Sequence, residues 1–398
     1  MIFALSTLTH RQVTQVGKQL AGQLTGKHFK GLSGFEHGRS VAMGVLVVNL
    51  GTPDEPTTSS VRRYLAEFLS DKRVVEIPKL LWMLILHGII LRIRPAKSAR
   101  AYKKVWSEQG SPLMAGTAEL SSKIQTALND RICGQCNVQL AMRYGNPSIK
   151  HGLESLQAEG AERIMVLPLY PQYSGATTGS VADAVFSSLS KWRWVPELRL
   201  LGAYHDDPDY IVAVAQSINT HWQANGHLIN NKLDKGHKLF ISFHGMPKAT
   251  LQAGDPYFCH CHKTARLIAA ELNLDEDQWE MAFQSRFGKA EWLQPYAAKR
   301  FVELPAEGVK NISVVCPGFS IDCLETLEEI AIEGRKEFIT AGGQTFEYVP
   351  ALNSSTQHVE FMVNRIMQNA SAWPELKNDL NNNHRAQGKQ LALAAGGS

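Results

Sequence analysis

Two stretches decide the fold: residues 166–180, VLPLYPQYSGATTGS, and residues 314–329, VVCPGFSIDCLETLEE. Each begins as an apolar run, passes a proline-bearing loop and a polar cluster, and enters a helical pattern. A short apolar run closed by turn residues reads as a buried strand. The segments upstream match as well. MRYGNP (142–147) follows the second strand candidate of the first half, and QSRFGKAEW (284–292) follows that of the second half. One α/β unit is therefore expected twice in this chain, as after a duplication.

Outward from these stretches, strands are expected at Val45–Leu50, Val138–Arg143, Arg163–Leu169 and Leu198–Tyr204 in the first half. The second half offers Lys238–Phe243, Glu280–Gln284, Ile312–Cys316 and Phe346–Val349. Helical patterns fall between them, among them Ser59–Leu69, Thr117–Asn129, Val181–Ser190, Asp209–Gln223, Lys263–Leu272 and Asp322–Glu333. Alternating strands and helices imply parallel sheets covered on both faces. The expected class is α/β: two similar Rossmann-like domains with parallel sheets flanked by helices and a cleft between them. The expected division is a flexible extension over 1–43, domains over 44–195 and 196–370, and a disordered polar tail over 371–398.

Composition narrows the function. The chain has 398 residues, 44% hydrophobic and 20% charged, and carries a formal net charge of +4. That is a globular composition, and the mild basicity does not call for nucleic acid. Six cysteines in so long a chain are too sparse for a disulfide scaffold. Cys133-x-x-Cys136 has no second pair to complete a metal site, and Cys259-His-Cys261-His packs its ligands too closely for an ordinary zinc site. No apolar stretch is long enough to cross a bilayer. LLWMLILHGIILRI (80–93), followed by Arg94, Lys97 and Arg100, reads equally as a buried helix or as one lying on a membrane surface.

In open parallel sheets, ligands bind at the carboxyl ends of the strands. Leu50 and the turn Gly51-Thr52-Pro53 follow the first strand, with no glycine-rich phosphate loop. Arg143 and Tyr144 end the second. Tyr170, Tyr173 and Ser174 follow the third, where two aromatics suit either packing or a flat ligand. His244, held by Gly245 and Pro247, ends the first strand of the second half, and CLETLEE follows the third. An imidazole and a carboxylate converging from neighbouring strand ends make an open metal site or an acid–base pair. Glu325, Glu329 and Glu333 recur every four residues. On a helix they form one line, either a solvated face or a path for cations.

Four motifs in order carry a resemblance. GVLVVNLGTPDEPTTSSVRRYLAEFLSDKRVVEIP (44–78), SFHGMPKATLQAGDPY (242–257), FQSRFGKAEWLQPY (283–296) and CPGFSIDCLETLEEIAIEG (316–334) look like ferrochelatase of the bacterial type. The resemblance implies an enzyme that inserts Fe²⁺ into protoporphyrin IX, the terminal step of haem biosynthesis, in a porphyrin cleft between the two domains. It implies His244 and Glu325 as catalytic residues and metal ligands, and Glu329 and Glu333 as a cation or proton path. It implies Leu50, Arg143, Tyr144, Tyr173 and Ser174 as porphyrin-binding. Fe²⁺ is then a substrate, no cofactor is firmly bound, and a two-iron two-sulfur cluster is not expected, because four ligand cysteines cannot be matched. Cys323, two residues before Glu325, is a departure that would favour softer ions. The expected location is cytoplasmic, with peripheral contact at the inner face of the membrane through residues 80–100. Oligomeric state is left open. The alternatives are a chelatase for another divalent metal and a porphyrin- or haem-binding paralogue without chemistry.

Overall fold

The computed structural model describes residues 29–32, 35–230, 232–376 and 382–396. In the first half, β1 (Ala42–Gly51) leads to α1 (Thr58–Leu69), then to α2 (Lys79–Ile85). A π-turn over Leu86–Ile90 joins α2 to α3 (Leu91–Val105), which is followed by α4 (Pro112–Asn129). Next come β2 (Gln135–Tyr144), α5 (Ile149–Ala158) and β3 (Ala161–Pro168). A π-turn at Gly175–Gly179 precedes α6 (Ser180–Leu189), and β4 (Glu197–Leu200) and α7 (Pro208–Asn225) complete this half.

After a short hairpin the second half repeats the plan. It runs through β5 (His237–His244), α8 (Lys248–Gln252), α9 (Tyr257–Glu271), β6 (Trp279–Gln284), α10 (Ala297–Glu303) and β7 (Asn311–Val315). A ten-residue π-helix, Glu325–Gly334, runs into α11 (Arg335–Thr340). β8 (Thr345–Val349), α12 (Thr356–Ala370) and α13 (Asn382–Ala394) follow.

Each half builds a four-stranded sheet, ordered β2-β1-β3-β4 in the first and β6-β5-β7-β8 in the second. Every pairing in both sheets is parallel. The duplication read from the loops thus extends to strand order. It extends to the loops themselves: the Met142 N–H bonds the Pro147 carbonyl at 2.7 Å, and the Phe283 N–H bonds the Pro295 carbonyl at 2.8 Å. Both third strands are followed by π-helical turns.

Side-chain alternation explains the layers. From β1, Met43, Val45 and Val47 enter a core shared with Leu239, Ile241 and Phe243 of β5, while Leu46 and Val48 face a separate core under α5 and α6. Strands buried on both faces carry near-continuous apolar runs. Gly51 turns the chain out of β1 at φ 121°, where a Cβ would lie 1.8 Å from the Tyr144 carbonyl oxygen. Only glycine fits there.

Two expectations need correction. A division between residues 195 and 196 would cut the first sheet, because β4 is hydrogen-bonded to β3. The turn into α12 also returns to the first half, where Lys123 of α4 donates to the Ser354 carbonyl at 2.9 Å. The polar tail does not begin at 371. Trp373 is buried and donates to Glu197 at 2.6 Å, and the buried Glu375 pairs with Arg163 at 2.6 Å. Two apolar or paired anchors in six residues outweigh a polar composition. The helix expected over Asp322–Glu333 is present: it is π-helical over Glu325–Gly334, and α11 carries it on to Thr340.

Of the extension over 1–43, residues 1–28, 33 and 34 lie outside the described residues. Lys30 pairs with the chain at Trp192 and reaches Glu154 at 2.6 Å, and Phe35 packs edge-on against Trp194.

Candidate active site

His244 is the last residue of β5 and is half-buried. Its Nδ1 lies 2.6 Å from the Gly245 carbonyl oxygen. A carbonyl only accepts, so Nδ1 carries the hydrogen and Nε2 keeps a free lone pair in the neutral ring. The His244 carbonyl accepts from the buried Tyr257 hydroxyl at 2.9 Å. Gly245 lets the chain pass β6, since a Cβ there would meet the Gln284 carbonyl oxygen at 2.6 Å.

Glu325 opens the π-helix beyond β7. Buried Asp322 anchors this entry, accepting from Thr326 at 3.0 Å, Asn353 at 2.8 Å and Tyr348 at 2.5 Å. Gln284, at the end of β6, joins three elements through one amide. It accepts from Ser242 at 2.7 Å and donates to the Glu325 carbonyl at 2.8 Å, and the Cys316 thiol lies 3.6 Å from its oxygen. In a helix with i→i+5 hydrogen bonds, residues four and five apart flank the same line. Glu329 therefore follows Glu325 toward the β6 loop, where Ser285 donates its N–H at 2.7 Å and its hydroxyl at 2.5 Å.

His244 lies in register with Gln284, whose amide reaches the Glu325 carbonyl at 2.8 Å and the Glu329 carboxylate at 3.5 Å, so the three residues gather at one strand end. Burial pushes the Glu329 carboxyl up. The Ser285 bonds and His244 pull it down, and Glu325 pushes it up again. Burial raises the Tyr102 phenol of α3, with Glu325 adding to it. Burial also raises Tyr64 of α1, with Tyr102 and then Glu325 adding further. Burial lowers Arg94, opposed by Glu325. Glu325 thus faces the helices of the first half, while His244 and Glu329 stand beside it. Burial first and Glu325 second push the Cys323 thiol up, so it is held protonated.

The acidic line ends on a cation. Lys104 of α3 bridges Glu328 and Glu333, at 2.8 Å each. This contact ties the two halves together and was not legible from the glutamate spacing.

The structure separates the expected porphyrin residues into two groups. Leu50 is half-buried between two cores at the end of β1, and Tyr173 is half-buried in the loop after β3. Arg143, Tyr144 and Ser174 are committed elsewhere. Arg143 bonds Asp71 at 2.6 Å and the Ser180 hydroxyl at 2.6 Å. Tyr144 is fully buried and donates to the same Asp71 at 2.8 Å. Ser174 is fully buried, caps the Ala176 N–H at 3.2 Å and donates to Asp255 at 3.1 Å. These three side chains are engaged in supporting the loops.

The Cys-His-Cys-His run lies on α9, where successive side chains point about 100° apart. Cys259 is exposed, Cys261 is buried, His260 accepts from the Tyr173 N–H, and His262 lies against Phe258. Among the described residues, no group of three His, Cys, Asp or Glu side chains is arranged to hold a metal ion.

Paired parallel sheets with an imidazole–carboxylate site at their carboxyl ends define a chelatase-like α/β protein. The structure of SirB from Bacillus subtilis with Fe³⁺ shares this fold, with a TM-score of 0.50 over 84% of this chain and 97% of that one, at 11% identity. The chain belongs to the ferrochelatase family, whose model matches residues 42–370. It is 49% identical over 375 residues to the ferrochelatase of Nitrosococcus oceani, covering 93% of this chain and 99% of that protein. It is 51% identical over 347 residues to the ferrochelatase of Thioalkalivibrio sulfidiphilus, covering 87% and 92%. It is 52% identical over 333 residues to ferrochelatase 2 of Shewanella oneidensis, covering 83% and 98%.

Proposed function

We propose that this chain is a ferrochelatase: it inserts Fe²⁺ into protoporphyrin IX and yields protohaem and two protons, the terminal step of haem biosynthesis. The observation that carries the residue assignment is the grouping of His244, with its free Nε2, beside Glu325 and Glu329. The macrocycle loses two pyrrole protons as four nitrogens bind the metal. His244 takes a proton at Nε2, the ring nitrogen whose lone pair is left open when Nδ1–H is held by the Gly245 carbonyl. Glu325 holds the arriving cation through oxygen, loosely enough to release it. Glu329 and Glu333 form the path between solvent and site, and the raised Glu329 carboxyl suits proton uptake. Binding of the broad apolar ring offsets the bending that exposes its nitrogens.

Leu50 and Tyr173 contact the macrocycle directly in this reading, and Arg143, Tyr144 and Ser174 hold those loops. The two working units are the sheet through β4 and the sheet from β5, with the cleft between them. No described helix is long and apolar enough to cross a membrane. Along α2 and α3, Leu80, Leu84 and Ile93 are 86%, 75% and 70% exposed, beside Lys79, Arg92 and Lys97. An apolar face with a basic rim supports peripheral contact with an anionic membrane at its cytoplasmic face.

The test is anaerobic incubation of the purified chain with protoporphyrin IX and Fe²⁺, followed by porphyrin absorbance and fluorescence. Turnover to protohaem is expected. Tight porphyrin binding with no insertion of any divalent metal would leave a binding paralogue instead.

A further inference from the structure

The segment Gly254–His262 has no part in the chemistry above, yet it touches both sides of the cleft. Asp255 Oδ2 accepts from the Ser174 hydroxyl at 3.1 Å and from the Gly175 N–H at 2.7 Å. Its Oδ1 accepts from the Tyr257 N–H at 3.0 Å. One carboxylate therefore serves the start of the π-turn after β3 and the start of α9, 80 residues away in sequence. Both positions offer backbone N–H groups without helical partners, and both favour negative charge.

The connection continues in both directions. Tyr257, two residues after Asp255, donates its hydroxyl to the His244 carbonyl at 2.9 Å. His260, one turn further along α9, accepts the Tyr173 N–H through Nδ1 at 3.2 Å. Tyr173, Ser174 and Gly175 are thus all bonded to residues 255–260. The same segment holds the backbone of the residue with the free imidazole nitrogen.

We propose that Asp255 is a positioning residue that clamps the Tyr173–Gly175 loop of the first half to the Tyr257–His244 connection of the second. Porphyrin loop and imidazole are then set as one unit. This rests on the ferrochelatase reading of the site. A carboxylate is required because three donors converge on it. An amide at this position offers one acceptor oxygen and turns its NH₂ against either the loop or Tyr257.

The experiment uses the full chain with Asp255→Asn, Ser174→Ala, Tyr257→Phe and the double variant Asp255→Asn/Ser174→Ala. Protoporphyrin Kd is read by fluorescence titration without iron, and kcat and KM by anaerobic turnover. Asp255→Asn is expected to raise porphyrin Kd about tenfold, the scale of a lost charge-assisted hydrogen bond. Ser174→Ala should raise Kd in the wild-type background and add nothing to Asp255→Asn. Tyr257→Phe should lower kcat and leave Kd unchanged.

Wild-type Kd and kcat in Asp255→Asn would overturn the clamp, as would fully additive effects of Asp255→Asn and Ser174→Ala. If Asp255→Asn fails to fold, the split between Ser174→Ala, acting on Kd, and Tyr257→Phe, acting on kcat, decides the matter. Equal loss of both quantities in either variant overturns the proposal. A wild-type chain that neither binds nor metallates porphyrin would instead remove the functional reading beneath it.

Discussion

Ser285 holds the Glu329 carboxylate with both of its donors, the N–H at 2.7 Å and the hydroxyl at 2.5 Å. Ser285 adopts φ 65°, a left-handed conformation that costs a residue with a side chain. The two bonds offset that cost and fix a buried carboxyl beside His244.

A pH dependence of stability follows. Burial raises the Glu329 carboxyl above its ordinary value of 4.5, so the folded chain holds this proton more tightly than the unfolded chain. The stability gained is complete below 4.5 and is lost as pH rises through the raised value. Glu329→Gln mimics the neutral form. Its melting temperature should match wild type below pH 4.5 and exceed it by about 2 °C at neutral pH. Thermal melts across this range measure it, and an advantage already complete at pH 4 would contradict the raised carboxyl.

Lys104 competes with any cation for Glu328 and Glu333. Removing the ammonium from these exposed pairs should leave the carboxylates free to attract iron. Lys104→Met is expected to lower KM for Fe²⁺ about threefold with kcat unchanged, a small effect in keeping with an exposed ion pair. Steady-state kinetics at low and moderate salt check this. The difference should shrink as ionic strength rises.

The exposed apolar face along α2 and α3 should carry membrane affinity. Leu80→Glu and Leu84→Glu remove two highly exposed apolar side chains and add repulsion from anionic lipid. Cosedimentation with vesicles containing phosphatidylserine should fall about tenfold or more in the double variant, since each buried leucine contributes on the order of 2 kcal/mol. Turnover with detergent-solubilised porphyrin should be unchanged.

Much of this fold was legible because parallel strands covered on both faces must be apolar along their whole length. Val45–Leu50 and Lys238–Phe243 needed no context to be read. The repeated loops were legible for a related reason: proline and glycine mark strand exits that few other residues can make. The commitments of site residues were not legible. Arg143 is paired with Asp71 from 72 residues away, and the Ser174 hydroxyl donates to Asp255 from 81 residues away. No local pattern records such partners. The π-helical register of Glu325–Gly334 was also hidden, because residues four apart share a face in α- and π-helices alike. β4 was recognised as a strand, but its pairing with β3 is a tertiary fact that a boundary at 195 cannot reflect.

In the proposed function, His244 and Glu325 carry out the exchange of two protons for one Fe²⁺. The most direct measurement compares protoporphyrin binding and Fe²⁺ insertion in wild type, His244→Ala and Glu325→Gln under anaerobic conditions. Porphyrin Kd should stay within about threefold of wild type, because neither side chain supplies the apolar surface that holds the ring. Turnover should fall by at least about a hundredfold in both variants. Near-wild-type turnover in either variant would contradict the account and move the chemistry to another group in the cleft.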